Sequence, residues 1–254
     1  MKKVATYDVE HERLTVPYDL MAYAVSQKRF REVQVLLACK FLFNAYFHKS
    51  GTDRVAESLG VHQRTVRNHL NWLRDRNLIG YDGRSGVYFN RGFKYLRGQL
   101  KHRVSRSCGY HLKFKNLKHF KEFAIGCAYN DLIISQKIKR WQEKNKNQNW
   151  EGAKKGNPYQ TRFTKRGFYP VANKAFAKIY DVSKATASRY RKMASNAGFI
   201  KLKEDLSECK VSFRSKKDRD MHRRYSEVPL IYRNGRFYEQ GVTHVRCKLT
   251  PIYF

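Results

Sequence analysis

Five polar side chains with hydrogen-bonding ends recur at helical spacing within residues 63–76. In a helix over these residues, Val66, Leu70 and Leu73 fall on one apolar stripe and the polar side chains face the other way. The polar set is Gln63, Arg64, Arg67, Asn68 and Asn71. Arginine can donate two hydrogen bonds to guanine, and asparagine or glutamine pairs in a similar bidentate manner with adenine. The pattern therefore predicts a helix face that reads base edges in double-stranded DNA.

Any exposed helix face is polar, so polarity alone does not indicate a ligand. This face differs from an ordinary solvated one because it carries no carboxylate before Asp75. We therefore favour contact with a polyanion over simple solvation.

The sequence around this helix is repeated later in the chain. Residues 61–66 align without gaps with residues 182–187, at a constant offset of 121 positions. Each copy predicts a helix, a tight turn, a second helix and a strand, which is the helix-turn-helix arrangement. Its second helix enters the major groove of DNA. Gly60 is expected to make the turn in the first copy, and Asp181 stands at that place in the second.

The second copy predicts a more cationic helix face. Its outward residues are Lys184, Ala185, Ser188, Arg189 and Lys192, preceded by Ser183 as the N-cap. We expect Lys184, Ser188 and Arg189 to reach base edges, while Lys192 contacts the DNA backbone.

The apolar stripe of the second copy is weaker than that of the first. Arg191 and Ala194 stand where the first copy has leucines. Tyr190 and Met193 are the residues that can supply the apolar contacts instead.

The elements predicted around the first copy make a winged helix. They are an extended segment over 14–17, a long helix over 31–48 ended by Gly51, a helix over 53–59 capped by Thr52, the helix over 63–76 and a β-hairpin over 79–89. Arg84 and Ser85, at the hairpin tip, are expected to enter the adjacent minor groove or to contact the DNA backbone there, and we assign Arg84 to the backbone.

A second set of elements is predicted around the second copy. It comprises a long helix over 117–143, a polar loop over 144–168, the helix-turn-helix over 171–197 with Ala175, Phe176 and Ile179 inside, and a strand from Phe199. Asn234-Gly235 predicts a hairpin over 230–238. This hairpin either extends the sheet of the second domain or forms a separate ribbon with residues 243–248.

The stretch over residues 91–121 contains ten Lys and Arg residues and no Asp or Glu. A solvated connector is the alternative, but we favour contact with DNA phosphates. The residues expected to make these contacts are Arg91, Lys94, Arg97, Lys101, Arg103 and Arg106. The polar loop over 144–168 is expected to add another basic arm through Lys154, Lys155, Arg162 and Lys165.

These patterns predict a mainly α-helical fold with small β-sheets, in the α+β class. Two winged helix-turn-helix domains are expected, joined by a basic linker. The expected boundaries are 1–96 for the first domain, 97–116 for the linker and 117–254 for the second domain, which carries the basic insertion over 144–168 and the C-terminal β-hairpin.

Composition agrees with a nucleic-acid partner. The 254 residues carry a formal net charge of +32, which is self-repulsive without a polyanion. An anionic membrane surface is a weaker alternative. No apolar run approaches the roughly 20 residues that span a bilayer, and the start of the chain lacks a secretory pattern. We expect a cytoplasmic, nucleoid-associated protein that does not bind membranes.

The five cysteines are scattered and contain no CxxC pair, which is typical of free thiols in a reducing compartment. Cys108-x-x-His111, His119 and Cys127 make a poor zinc set. On a helix over 117–143, His119 and Cys127 lie roughly 12 Å apart, too far to share one ion. No metal, cofactor or small-molecule ligand is expected.

The segment from Val16 to Ile79, with residues 56–61 (AESLGV) and 64–70 (RTVRNHL), resembles winged helix-turn-helix domains of bacterial regulators and of plasmid or phage replication proteins. The tandem arrangement resembles theta-type plasmid replication initiators. This resemblance implies binding to repeated sites at an origin or operator, and a switch between monomer and homodimer. Asp181 at the turn and the insertion over 144–168 depart from a regular repeat.

The expected function is sequence-specific binding of double-stranded DNA by a replication initiator of a plasmid, phage or other mobile element. The alternative is a transcriptional regulator that binds an operator with the same two modules. An RNA-binding protein and a metal-dependent nuclease are less favoured. Acidic residues are sparse and no phosphate-binding loop occurs, so we do not expect an enzyme.

Overall fold

The computed structural model describes residues 12–43, 45–100, 108–144, 167–204, 206–208, 220, 230–233, 236–240 and 243–253. Over these residues the chain has an α+β fold. The α-helices are α1 (Tyr18–Ser26), α2 (Phe30–Leu42), α3 (Thr52–Leu59), α4 (Gln63–Asp75), α5 (Phe93–Leu100), α6 (Phe120–Lys144), α7 (Asn173–Tyr180) and α8 (Lys184–Asn196). Two 3-10 helices cover Lys49–Gly51 and Phe114–His119.

The described strands form four three-stranded sheets, with orders β1-β5-β12, β2-β4-β3, β6-β11-β7 and β8-β10-β9. The strands are β1 (Arg13–Pro17), β2 (Tyr46–His48), β3 (Ile79–Asp82), β4 (Val87–Asn90), β5 (Cys108–Lys113), β6 (Tyr169–Pro170), β7 (Ile200–Lys203), β8 (Leu206–Glu208), β9 (Leu230–Arg233), β10 (Arg236–Gln240), β11 (His244–Cys247) and β12 (Ile252–Tyr253). Every described pairing between them is antiparallel.

The N-terminal unit, residues 30–90, consists of α2, α3, α4 and the sheet β2-β4-β3. The predicted helices over 53–59 and 63–76 and the hairpin over 79–89 are present with nearly the predicted bounds. Gly60 forms the turn between α3 and α4 with φ of 64°, a left-handed conformation that glycine adopts at low cost. Thr52 is the first residue of α3 rather than its cap, and its hydroxyl donates to the Lys49 carbonyl at 2.8 Å.

The long helix predicted over 31–48 ends early, at Leu42. Phe43 is extended, and its ring stacks on Phe47 of β2 with centroids 4.6 Å apart. Gly51 does not end this helix in a left-handed conformation. Its φ is −67°, and a Cβ at this position would lie 3.0 Å from the Phe43 ring. Aromatic packing against the sheet, rather than helix capping, therefore requires a small residue here.

Helix α1 was not predicted. Seven of its nine residues are buried, so no amphipathic stripe marks it in the sequence. It packs against α5 and α6, and its start is buried where the Tyr18 hydroxyl meets that of Tyr180 at 2.5 Å.

The predicted linker over 97–116 is structured wherever it is described. It completes α5, supplies β5 and enters the second 3-10 helix. β5 lies between β1 and β12, with Val16 opposite Tyr110 and Gly109 opposite Ile252. This part of the chain is therefore a central strand of a sheet, not a connector.

The C-terminal unit consists of α6, α7, α8 and the sheet β6-β11-β7 (residues 120–144, 169–203 and 244–247). Ser183 caps α8 as predicted, accepting from the Thr186 amide at 3.1 Å. Ile179 was expected inside but is 40% exposed. The strands of the hairpin predicted over 230–238 pair with each other, as β9 and β10, and with β8 in a sheet of their own, while the predicted Asn234-Gly235 turn lies outside the described residues. His244–Cys247 is the central strand of the unit's sheet.

The repeat extends to the bounds of three successive elements. α3, α4 and β3 begin at residues 52, 63 and 79, and α7, α8 and β7 begin at residues 173, 184 and 200, each 121 positions later. Their ends keep the same offset. Left-handed residues also coincide, since Gly60 matches Asp181 and Asn77 matches Gly198. The two sheets share one strand order, so the two units have the same local architecture.

The two units share one hydrophobic core. Phe30, at the start of α2, meets Tyr190 of α8 edge-on with centroids 5.8 Å apart. Gln34 of α2 also donates at 2.7 Å to the carbonyl of Leu117, in the 3-10 helix that precedes α6. The units therefore pack directly against each other.

Candidate nucleic-acid interface

Helix α4 is held by its apolar stripe. Val66, Leu70 and Leu73 are fully buried, as predicted. At its start, His62 is the N-cap and its ring nitrogen accepts from the Arg64 amide at 3.1 Å. The stripe and cap fix which side chains of α4 face outward.

Four of the five residues predicted to read bases on α4 are exposed: Arg64, Arg67, Asn68 and Asn71. The fifth, Gln63, is half-buried and donates to the Thr52 hydroxyl at 3.2 Å, which ties α4 to α3. Thr65 is exposed beside Arg64 and was not predicted as a contact. Its hydroxyl is able to contact either base pair. Thr65 also lines a pocket with Arg31 and Gln34 of α2, so it lies at the edge of the outward face, where the periodicity did not single it out.

Near its C-terminal end, α4 contacts the start of α2 through a cation–π interaction. The guanidinium carbons of Arg29 and Arg76 lie over the Trp72 ring, 5.0 and 4.1 Å from its centroid. Arg29 also donates to Glu32 at 3.1 Å. These contacts keep α4 in one orientation relative to α2, so its outward face is preorganised.

The hairpin tip between β3 and β4 is a tight polar turn. The Asp82 carboxylate accepts from the Ser85 hydroxyl at 2.6 Å and from the Arg84 amide at 3.0 Å. These hydrogen bonds, that of Ser85 foremost, lower the pKa of Asp82. Arg84 is exposed at the tip, where the prediction placed a backbone contact.

Helix α8 presents the outward set predicted for it. Lys184, Arg189 and Lys192 are exposed, and Ser188 is partly exposed. Its buried residues are Ala187, Tyr190 and Ala194, so Tyr190 fills the role expected of it, while Met193 is only partly buried. Arg191, at the place of Leu70, has its Nε buried without a hydrogen-bond partner among the described residues.

The matched outward positions differ in chemistry. Where α4 has the amides Gln63, Asn68 and Asn71, α8 has the cations Lys184, Arg189 and Lys192. Where α4 has arginines at 64 and 67, α8 has Ala185 and Ser188. Neither helix has a carboxylate on this face, because the Asp75 carboxylate of α4 lies at its end and pairs with Arg74 at 3.2 Å.

Two of the predicted phosphate contacts have partners inside the protein. Arg97 donates to the buried Asp19 carboxylate at 2.7 Å. Arg91 donates to the Asn77 side chain at 3.1 Å and lies over the Tyr95 ring. Both guanidinium groups therefore stabilise the fold around α5, which lowers their availability for DNA. Lys94 is exposed.

The remaining predicted contacts lie outside the described residues. They are Lys101, Arg103, Arg106, Lys154, Lys155, Arg162 and Lys165.

Two further findings bear on ligands. Within the described ranges, no group of three or more His, Cys, Asp or Glu side chains has the arrangement of a metal site, and Cys39, Cys108, Cys127 and Cys247 are buried. Among the same residues, no helix combines the length and apolar character needed to cross a membrane.

Comparisons with protein-family models, curated proteins and solved structures gave no match to this chain.

Proposed function

We propose that the protein is a sequence-specific binder of double-stranded DNA, with α4 as the helix that reads bases and α8 as a helix that mainly contacts phosphates. The observation that carries this proposal is the difference at matched outward positions. The two exposed amides on α4, Asn68 and Asn71, correspond to the cations Arg189 and Lys192 on α8, on faces that both lack carboxylates. Asparagine can pair with adenine and arginine with guanine, so α4, which also carries Arg64 and Arg67, is equipped to discriminate bases, whereas the lysines of α8 bind phosphates of any sequence.

The biological role that we infer is replication initiation on a plasmid, phage or other mobile element. The two helices differ in chemistry and belong to units that pack directly against each other. One chain is therefore suited to an asymmetric site, and several chains to a series of direct repeats. A regulator acting as a symmetric dimer at a promoter would instead protect a palindrome. Footprinting on the native replicon distinguishes these two protection patterns.

A pair of variants tests the division between the two helices. Arg67→Ala on α4 is expected to reduce discrimination at one base position by about 1–3 kcal/mol. Lys192→Ala on α8 is expected to weaken binding to all duplexes alike and to reduce the salt slope by about 0.9 per lost phosphate contact. Affinities for the preferred and a scrambled duplex, measured at several salt concentrations, give both quantities.

Lys139→Ala is the matched control, since this exposed lysine lies on α6, outside both helices. It should change neither the discrimination between the preferred and the scrambled duplex nor the salt slope that is attributed to α8. If Arg67→Ala binds the preferred duplex as wild type does and keeps its discrimination, α4 does not read bases there.

A further inference from the structure

A groove beside the sheet β1-β5-β12 forms a cationic surface built from other residues than α4 and α8. Its volume is about 790 Å³. The lining includes Arg13, Phe41, Lys113, Phe114 and Lys115, with Glu12 as its one carboxylate among the described residues. The groove therefore combines three cations with an aromatic wall.

Two cations of this groove lie where their mutual repulsion destabilises the sheet. Arg13 and Lys113 lie directly opposite each other in the β1–β5 ladder. Like charges in directly opposed positions destabilise a sheet. Both side chains are exposed, and no described carboxylate forms an ion pair with either of them or with Lys115. A bound anion between the strands would relieve this repulsion.

The aromatic wall holds one ring at the surface in a fixed position. Phe114 is 37% exposed, and its ring packs edge-on against the fully buried Phe41 with centroids 5.4 Å apart. The Phe114 amide donates to the Glu12 carbonyl at 3.0 Å, which continues the pairing of β1 with β5. The ring is therefore presented to solvent from a rigid support and is flanked in sequence by Lys113 and Lys115.

We propose that this groove binds an unpaired strand of DNA, with a base stacked on Phe114 and the adjacent phosphates held by Arg13, Lys113 and Lys115. A cationic groove with an aromatic platform is the arrangement that binds single strands, because every base has a face that can stack. In a duplex these faces are covered by neighbouring base pairs. The groove is independent of the proposed role of α4, since it shares no residue with that helix.

Fluorescence anisotropy with an oligothymidylate of about 12 nucleotides tests the proposal. Phe114→Ala is expected to weaken binding about 5- to 140-fold, the range that corresponds to the loss of one stacked base. Phe114→Trp retains a platform and is expected to bind nearly as well as wild type. Lys115→Ala leaves the packing against Phe41 intact and should reduce the salt slope by about 0.7.

Control experiments distinguish binding in this groove from nonspecific attraction by charge and from binding to α4 or α8. Phe89→Ala removes a similarly exposed ring, 42% exposed, on another sheet and should leave oligothymidylate binding unchanged. Arg67→Ala should also bind this oligonucleotide normally. An abasic strand of the same length should bind wild type about as weakly as oligothymidylate binds Phe114→Ala.

Several outcomes would overturn the assignment. They are equal oligothymidylate affinity of wild type and folded Phe114→Ala, equal affinity of wild type for the abasic strand, and tighter binding of oligouridylate RNA than of DNA. Normal duplex binding by Arg67→Ala would contradict only the proposed function, because the groove is measured with a single strand.

Discussion

The three repeated elements of the N-terminal and C-terminal units have the same lengths and spacing and the same left-handed positions, and the two sheets have the same strand order. The side chains that the two units bury are different. α4 buries Val66, Leu70 and Leu73, whereas α8 buries Ala187, Tyr190 and Ala194. The rings of Tyr129, Phe176 and Tyr180, contributed by α6 and α7, contact one another in series, and the Tyr129 hydroxyl donates to the Ala187 carbonyl at 3.1 Å. The turn geometry is therefore the constant part of this repeat, while the buried residues and the outward face vary.

The connection between the last two strands of each unit is the second difference. Residues 83–86 link β3 to β4, whereas residues 204–243 link β7 to β11 and contain the sheet β8-β10-β9. The short hairpin of the first unit presents Arg84 at a defined tip. The second unit replaces that tip with additional structure.

The largest expected effect on stability comes from the different buried residues of α4 and α8. Leu70→Ala should lower the free energy of unfolding by about 2–5 kcal/mol, because it deletes a fully buried side chain. Arg191→Ala, at the matched position, should cost much less, and Arg191→Leu should leave stability unchanged or raised, because the buried Nε has no described partner. Urea unfolding of the variants measures the difference. Equal losses for Leu70→Ala and Arg191→Ala would show that the two cores are equivalent.

The turn comparison predicts an intermediate effect. Gly60→Ala should destabilise the protein by about 1–2 kcal/mol through backbone conformation alone, since a Cβ at Gly60 meets no atom within 4 Å. Asp181→Gly should leave stability unchanged or slightly raised, because Asp181 already adopts φ of 51°. Thermal unfolding compares the two. A neutral Gly60→Ala would mean that this turn does not require a left-handed residue.

The smallest expected effect is a pH dependence confined to the first unit. Lys40 lies over the Phe93 ring and donates to the Arg91 carbonyl, and burial lowers its pKa from 10.5 to about 8. Between these values the unfolded chain binds more protons, so the stability contributed by Lys40 rises with pH. Lys40→Met should therefore have its greatest advantage over wild type near pH 7.5 and lose part of it by about pH 9.5. Urea unfolding at both pH values checks this, and an advantage that grows with pH would contradict it.

Local patterns predicted the elements whose signals are local. The periodicity of α4, the turn at Gly60, the cap Ser183 and the turn after Asp82 are each specified by residues within a few positions of the element. The exposed sets on α4 and α8 followed from the same periodicity. Their contact with DNA stays a prediction.

Features that depend on residues distant in the sequence could not be predicted from local patterns. α1 is buried on nearly all sides, and β5 is recognisable only through its pairing with β1 and β12. Arg97 appeared free in the sequence because Asp19 lies 78 positions away. The groove around Phe114 likewise depends on the register between Arg13 and Lys113.

The sheet β1-β5-β12 also constrains how the chain is made. It joins residues 13–17 and 108–113 to residues 252–253, so Cys108 and Gly109 keep one unpaired strand edge until β12 has been synthesised. Contacts this distant in sequence form slowly, and an uncovered strand edge is a template for pairing with another chain. Until residues 252–253 have been synthesised, the edge of β5 at Cys108 and Gly109 is therefore open to pairing with another chain.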